Sequence, residues 1–215
     1  MAKGRRLASG VIRARWRRQE TPRVHSVCGV SDYIRDAFPS SVRAAISEVV
    51  AELPPARLPG RRFEVLVENE KLYIPERIYN PEISKDVTAQ WSGLNRAVYA
   101  CLYTRHHDGH TRQRHLRSIL SLSEGYVAPF VIRLVGEYVI EILVDIQEGL
   151  SDLESHESRR MQYATFVAAN PSFMDLISAR VVSYWNCYYR SDYLDLADYP
   201  GFQVISLLRS ASAKN

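Results

Sequence analysis

Three features of the chain predict a mainly α-helical protein. A long apolar segment carries charges at every fourth residue, apolar positions recur three and four apart over most of the C-terminal part, and strict alternation is confined to one short stretch. The segment runs from Tyr126 to Asp145 and places Arg133, Glu137, Glu141 and Asp145 at four-residue intervals. On one continuous helix that spacing forms a single stripe. The remaining circumference is large and apolar, which marks a core helix covered by other helices. The expected architecture is therefore an antiparallel stack of helix pairs or an irregular bundle. A small N-terminal β-hairpin and a basic, flexible N-terminal tail complete it. The expected divisions are residues 1–30 as basic tail, 31–86 as helix plus hairpin, and 87–215 as helical domain.

The elements follow in order. Ser40 or Ser41, after Phe38 and Pro39, suits a helix N-cap, and Val42, Ile46, Val49 and Leu53 supply one apolar stripe. Pro54 and Pro55 end that helix, since neither can donate an amide to it. Phe63, Val65 and Val67 then alternate with Glu64 and Glu68, and Leu72 and Ile74 alternate beyond Asn69. This predicts a β-hairpin with Asn69 at positive φ. Two strands alone are marginal in water, so the hairpin must lean on the helical body or on a partner.

From Thr88 the pattern is helical. Leu94, Val98, Cys101 and Leu102 mark one helix, Leu116, Ile119 and Leu120 a second, and Phe130 to Ile146 the long core helix. Pro129 falls near that helix's start, where a missing amide costs least. Gly136 in its middle costs about 1 kcal/mol relative to Ala, which predicts the close passage of another backbone. A further helix through Met161, Phe166 and Val167 stops at Asn170 and Pro171. The next runs from about Phe173 to Arg190, and Phe202 to Leu208 forms a last short helix or strand.

The 215 residues are 46% hydrophobic, an ordinary globular balance. The four ionisable side chains in the apolar segment argue against a membrane span. Cys28, Cys101 and Cys187 form no CxxC pair; Cys101 and Cys187 fit buried thiols in a reducing, cytoplasmic setting. The net charge of +4 is concentrated in residues 1–23, where eight basic residues face only Glu20, so the rest of the chain has three more acids than bases. The tail is thus the basic feature, and its Arg15, Arg17 and Arg18 are candidate contacts for nucleic-acid phosphate.

Other candidate sites lie further on. His106, His107, Asp108, His110 and His115 crowd into one turn and its helix and are the candidate ligands for a metal such as zinc. Asp108 also suits an N-cap, and Asp108-Gly109 separates His106 from His110. Arg105, Arg112, Arg114 and Arg117 form a positive patch able to hold a phosphate or a protein partner. Tyr184 with Tyr188, and Trp185 with Tyr189, are i,i+4 pairs on two adjacent helix faces, with Tyr193 following. One face is expected in the core and the other at an interface. In the charge stripe, Arg133 is expected to pair with Glu137 on the surface, with Glu141 and Asp145 facing solvent or a neighbouring Arg.

The run from Asp108 through Arg112, Leu116, Ile119 and Leu120 resembles the second-helix signature of HEAT-type α-helical repeats: an Asp at the turn, an Arg four residues on, then leucine-like positions. Thr111 and His115 depart from the pattern. The likeness covers one segment, 108–120, and implies α–α stacking of the kind that binds other macromolecules.

No Gly-rich phosphate loop, nucleophile elbow or dinucleotide fingerprint occurs. No catalytic residue is identified from the sequence, and no cofactor is expected beyond a metal at the His-rich turn. The leading expectation is a helical scaffold or adaptor that binds another protein. The alternatives are a nucleic-acid-associated protein using the tail and the Arg/His turn, and a metal-dependent enzyme at the His-rich turn.

Overall fold

The computed structural model describes residues 32–56 and 60–214. The basic tail, with Arg15, Arg17, Arg18 and Cys28, lies outside the described residues. The fold is mainly helical with one two-stranded antiparallel hairpin, as the periodicity predicts.

A single 3₁₀ turn, Ser40–Val42, leads into α1 (Arg43–Glu52), which buries Ala45, Ile46, Val49 and Val50. The serines do not cap it. The Ser40 amide donates to both Glu70 carboxylate oxygens at 3.0 and 3.1 Å, and the Ser41 hydroxyl donates to Glu68 at 2.6 Å. Short serine side chains here satisfy the turn of the hairpin and so fasten α1 to it.

The hairpin pairs β1 (Arg62–Val67) with β2 (Glu70–Pro75). Glu68 and Asn69 both take positive φ, 52° and 62°, as a two-residue turn matched to strand twist requires. Val65, Val67, Leu72 and Ile74 point inward. The hairpin leans on the helical body through its outer edges. Asn170 presents its side-chain amide to β1 as another strand would: Leu66 N donates to Asn170 Oδ1 at 2.7 Å, and Asn170 Nδ2 donates to Leu66 O at 2.8 Å. On the far edge, Tyr73 N donates to Asp36 O at 2.9 Å.

Next come α2 (Lys85–Ala89), α3 (Gly93–Tyr103) and α4 (Gly109–Arg117). Ser84, Ser92 and Asp108 cap these helices, each accepting an amide three residues on. α1 packs on α3. Between α3 and α4, Ile78 pairs with the returning chain: Ile78 N donates to Arg105 O at 2.8 Å and His107 N to Ile78 O at 3.0 Å. That pairing fixes the His-rich turn against the exit of β2.

The long core helix is two helices. α5 (Ala128–Val135) is wholly buried and α6 (Ile140–Gly149) follows after a break at Gly136. A Cβ on Gly136 would meet Ile177 Cδ1 at 3.0 Å and Arg180 Cδ at 3.4 Å. The close neighbours are thus side chains of the next layer, not the backbone that the glycine suggested. The break also splits the expected four-charge stripe: Arg133 and Glu137 turn inward, while Glu141 is exposed and Asp145 pairs with Arg117.

The C-terminal layer comprises α7 (Glu157–Ala169), α8 (Pro171–Tyr184), a π-helical turn at Trp185–Tyr189, and α9 (Pro200–Ala213). The segment left open as helix or strand is therefore helix. α9 packs on α6, α7 and α8, and one apolar core runs from Ile34 to Ala211. Among the described residues, no helix is long and apolar enough to cross a membrane.

Asn170 makes a third bond, to Phe166 O at 2.9 Å. Asn170→Ala is expected to destabilise the fold by about 1–3 kcal/mol, because the half-buried Leu66 amide and carbonyl lose the bridge that Asn170 supplies. Urea unfolding reads this, and a loss below about 0.5 kcal/mol would mean that water replaces the bridge at no cost.

Candidate functional site

The strongest concentration of buried charge forms where β2, the His-rich turn, α4 and α5 meet. Glu137, 3% exposed, stands at its centre. Arg77 Nη2 lies 2.8 Å from Glu137 Oε1, Arg112 Nη2 lies 3.0 Å from Oε2, and Arg105 Nη2 lies 3.5 Å from Oε1. Arg133 Nη2 donates to Glu76 Oε2 at 2.5 Å rather than to Glu137, so the expected surface pair does not form. Carbonyls take further donors: Arg105 donates to Glu76 O at 2.8 Å, and Arg112 Nη1 to His106 O and His107 O at 3.0 and 2.9 Å. The guanidiniums of Arg105 and Arg133 both lie over the Phe63 ring, 5.9 and 5.4 Å from its centroid.

Electrostatics follows from this packing. Burial would raise the Glu137 pKa, but Arg105, Arg77 and Arg112 outweigh it and hold the carboxyl below its usual range. Burial pulls the Arg105 guanidinium down to about 9, against the opposing attraction of Glu137. Arg112 and Arg133 are lowered by the same cause. Arg105 thus remains cationic at neutral pH.

The proposed metal residues are distributed over different tasks. His106 Nδ1 accepts the Asp108 amide at 3.1 Å, His107 stacks on Tyr79 at 5.2 Å, and Asp108 caps α4. His110 is exposed on α4, and His115 pairs with Glu82 at 2.8 Å. Burial lowers the His115 pKa despite that carboxylate. Among the described residues, no group of three or more His, Cys, Asp or Glu side chains is placed to hold a metal ion.

Nor do the four arginines of the patch converge on one exposed spot. Arg105 and Arg112 point into the buried cluster, Arg114 pairs with Glu82, and Arg117 grips Asp145 through two contacts of 2.9 Å. Exposed phosphate contact by all four is thereby replaced by two inward and two surface pairings. Glu76, Arg77 and Glu82 were not singled out from sequence, and Glu137 was expected on the surface, paired with Arg133. The retrospective signal is charge within apolar surroundings, which periodicity alone reads as surface.

The aromatic segment divides as its pairings suggest. Trp185, Tyr189 and Tyr193 turn toward the core: Trp185 Nε1 donates to Tyr193 O at 2.8 Å, and Tyr189 and Tyr193 both lie 5.5 Å from Tyr199. Tyr184 and Tyr188 face outward, 6.1 Å apart, and Tyr138 joins them at 5.9 and 6.2 Å. Tyr138 and Tyr188 are 58% and 63% exposed. The break at Gly136 turns Tyr138 outward, a position that a continuous core helix concealed. Cys187, expected in the core, is exposed on the π-helical turn; Cys101 is buried.

No protein-family model, curated protein or solved structure matches the chain.

Glu137→Gln is expected to destabilise the protein by about 3–5 kcal/mol at pH 7, since its three guanidiniums lose their shared carboxylate. The ionised carboxylate stabilises the fold above its ordinary value of 4.5, and this contribution is lost as pH falls through the depressed folded-state value. The gap between wild type and variant should therefore narrow below about pH 4. Chemical denaturation across pH measures it; a gap that is constant with pH would contradict an ionised Glu137.

Proposed function

We propose that this protein is a helical adaptor that binds another protein through the surface formed by Tyr138, Tyr184 and Tyr188. The observation that carries this reading is three tyrosines from two chain segments in mutual ring contact, two of them more than half exposed. Large rings held by neighbours bury much area on binding and lose little conformational entropy, which is why such residues dominate interface energetics. Tyr184 is further steadied by Arg180, whose guanidinium lies 5.7 Å from the ring centroid and donates to Gly136 O at 2.8 Å.

The partner is an acidic segment with an apolar anchor. Charge supports that choice: Arg180 borders the tyrosines, and behind Tyr138 stand four guanidiniums that, among the described residues, pair with Glu76 and Glu137. A carboxylate beside an aromatic or aliphatic side chain complements a ring surface with positive potential. The π-helical turn supports the reading as well, since such turns are retained where they re-aim side chains for a task.

Affinity capture on the full chain, followed by titration of the identified partner, tests the proposal. Tyr138→Ala and Tyr188→Ala are each expected to weaken binding by about thirtyfold or more. Thermal stability should change little, because both rings are largely exposed. Undiminished binding by the double variant, or capture only of nucleic acid removable by nuclease, would refute it.

A further inference from the structure

The buried arginine cluster contains more positive charge than its acids neutralise. Arg77, Arg105, Arg112 and Arg133 surround Glu76 and Glu137, and Arg180 stands close enough to Arg133 to act on its charge. Without Arg180, four cations already face two anions. Arg105, Arg112 and Arg133 are at most 5% exposed. Nη1 of Arg105, Nε of Arg112, and Nε and Nη1 of Arg133 are buried and donate to no acceptor among the described residues. Such groups are costly: each unmet donor on a buried cation forfeits the hydration that it had in water.

The unmet donors are organised. Arg105 follows α3, Arg112 lies on α4 and Arg133 on α5, so their N–H groups arrive from three different chain directions. Arg105 and Arg133 share the Phe63 ring as a common floor. Surplus charge, unmet donors and multiple approach directions together suit a multivalent anion with acceptors on every side. A planar carboxylate suits two parallel donors, whereas Glu137 meets its arginines as ion pairs with no well-aligned hydrogen bond on either oxygen; a tetrahedral oxyanion serves donors from several directions. We propose that this cluster is a binding site for a small tetrahedral oxyanion of the phosphate or sulfate class. Access runs past Glu76 and Arg77, whose side chains are 30% and 32% exposed, while the other arginines are enclosed. The anion displaces the Glu76 carboxylate from Arg133 and takes up the free donors of Arg133 and Arg105. This site rests on the charge count and the unmet donors; it shares the surplus charge with the proposed tyrosine surface, but its test reads anion binding with no protein partner present.

Calorimetric titration of the full chain with inorganic phosphate, and separately with sulfate, in chloride buffer of constant ionic strength tests the site. The expected result is saturable binding at one site, accompanied by a rise in melting temperature that chloride at equal ionic strength does not give. Arg77→Gln, at the exposed rim, should weaken binding by about tenfold, the effect of one charge-assisted contact. Glu76→Gln should strengthen it, because a competing carboxylate is removed. Arg209→Gln, on α9 and paired with Asp175 away from the cluster, should leave it unchanged. Both rim variants retain the enclosed arginines, which guards against loss of the fold. Absence of saturable heat from wild type would overturn the proposal. So would equal weakening by Arg77→Gln and Arg209→Gln, which would identify a diffuse surface effect.

Discussion

Glu137 lies in the interior with three guanidiniums around it, and the relative placement of four chain segments depends on that arrangement. Arg77 comes from the exit of the hairpin, Arg105 from the end of α3, Arg112 from α4, and Glu137 itself from the break between α5 and α6. Removing a carboxylate from water costs several kcal/mol, and each arginine incurs a comparable penalty. The attraction among them offsets this only if all the groups stay in register. The cluster therefore acts less as a source of stability than as a constraint that permits one arrangement of hairpin and helices. Asn170 performs a similar task without charge at the other end of the hairpin, matching the Leu66 amide and carbonyl with its own amide group.

The same constraint explains the broken helix. A continuous helix from Ala128 to Gly149 would keep Glu137 in line with Glu141 and Asp145, of which Glu141 is exposed. The chain instead stops α5 at Val135, closes it with Glu137 N donating to Leu134 O at 3.0 Å, and restarts at Ile140. Gly136 makes this possible because Ile177 and Arg180 leave little room for a side chain there. The break sends Glu137 inward and Tyr138 outward. One local departure from regular helix thus supplies both the acid of the buried cluster and a ring of the exposed tyrosine surface.

Much of the scaffold was legible in sequence because its signals are local. Asp108 caps its helix through a contact only three residues long, although Ser40 and Ser41 bond to the hairpin turn and cap no helix, and the alternation of Val65, Val67, Leu72 and Ile74 is a direct image of a strand pair. The division of Tyr184 and Tyr188 from Trp185 and Tyr189 onto two faces also follows from i,i+4 spacing, while which face turns inward is set by the tertiary packing. The site was much less legible. The contacts of Arg133 with Glu76 and of Arg77 with Glu137 join residues 57 and 60 positions apart, and no periodicity encodes such pairings. Periodicity assigns charged residues to the surface, and that rule fails where acids and bases are buried together.

The cluster's composition bears on why it persists. An apolar replacement of similar volume usually matches or exceeds a buried ion pair in stability, so stability alone does not favour keeping these arginines. Register alone would be met by matched numbers of acids and bases. The surplus of arginine goes beyond either requirement, and the surplus donors are the enclosed ones, on Arg105, Arg112 and Arg133. Excess positive charge at a fixed, low-dielectric position attracts anions more strongly than the same charge in water. Tyr138 of the tyrosine surface follows Glu137 in the chain, and Arg180 lies over the Tyr184 ring and near enough to Arg133 to act on its charge. In the proposed complex, an acidic group approaching Tyr138 and Tyr184 would meet a favourable potential set by residues that it never touches, and the buried cluster would give the aromatic surface its preference in charge.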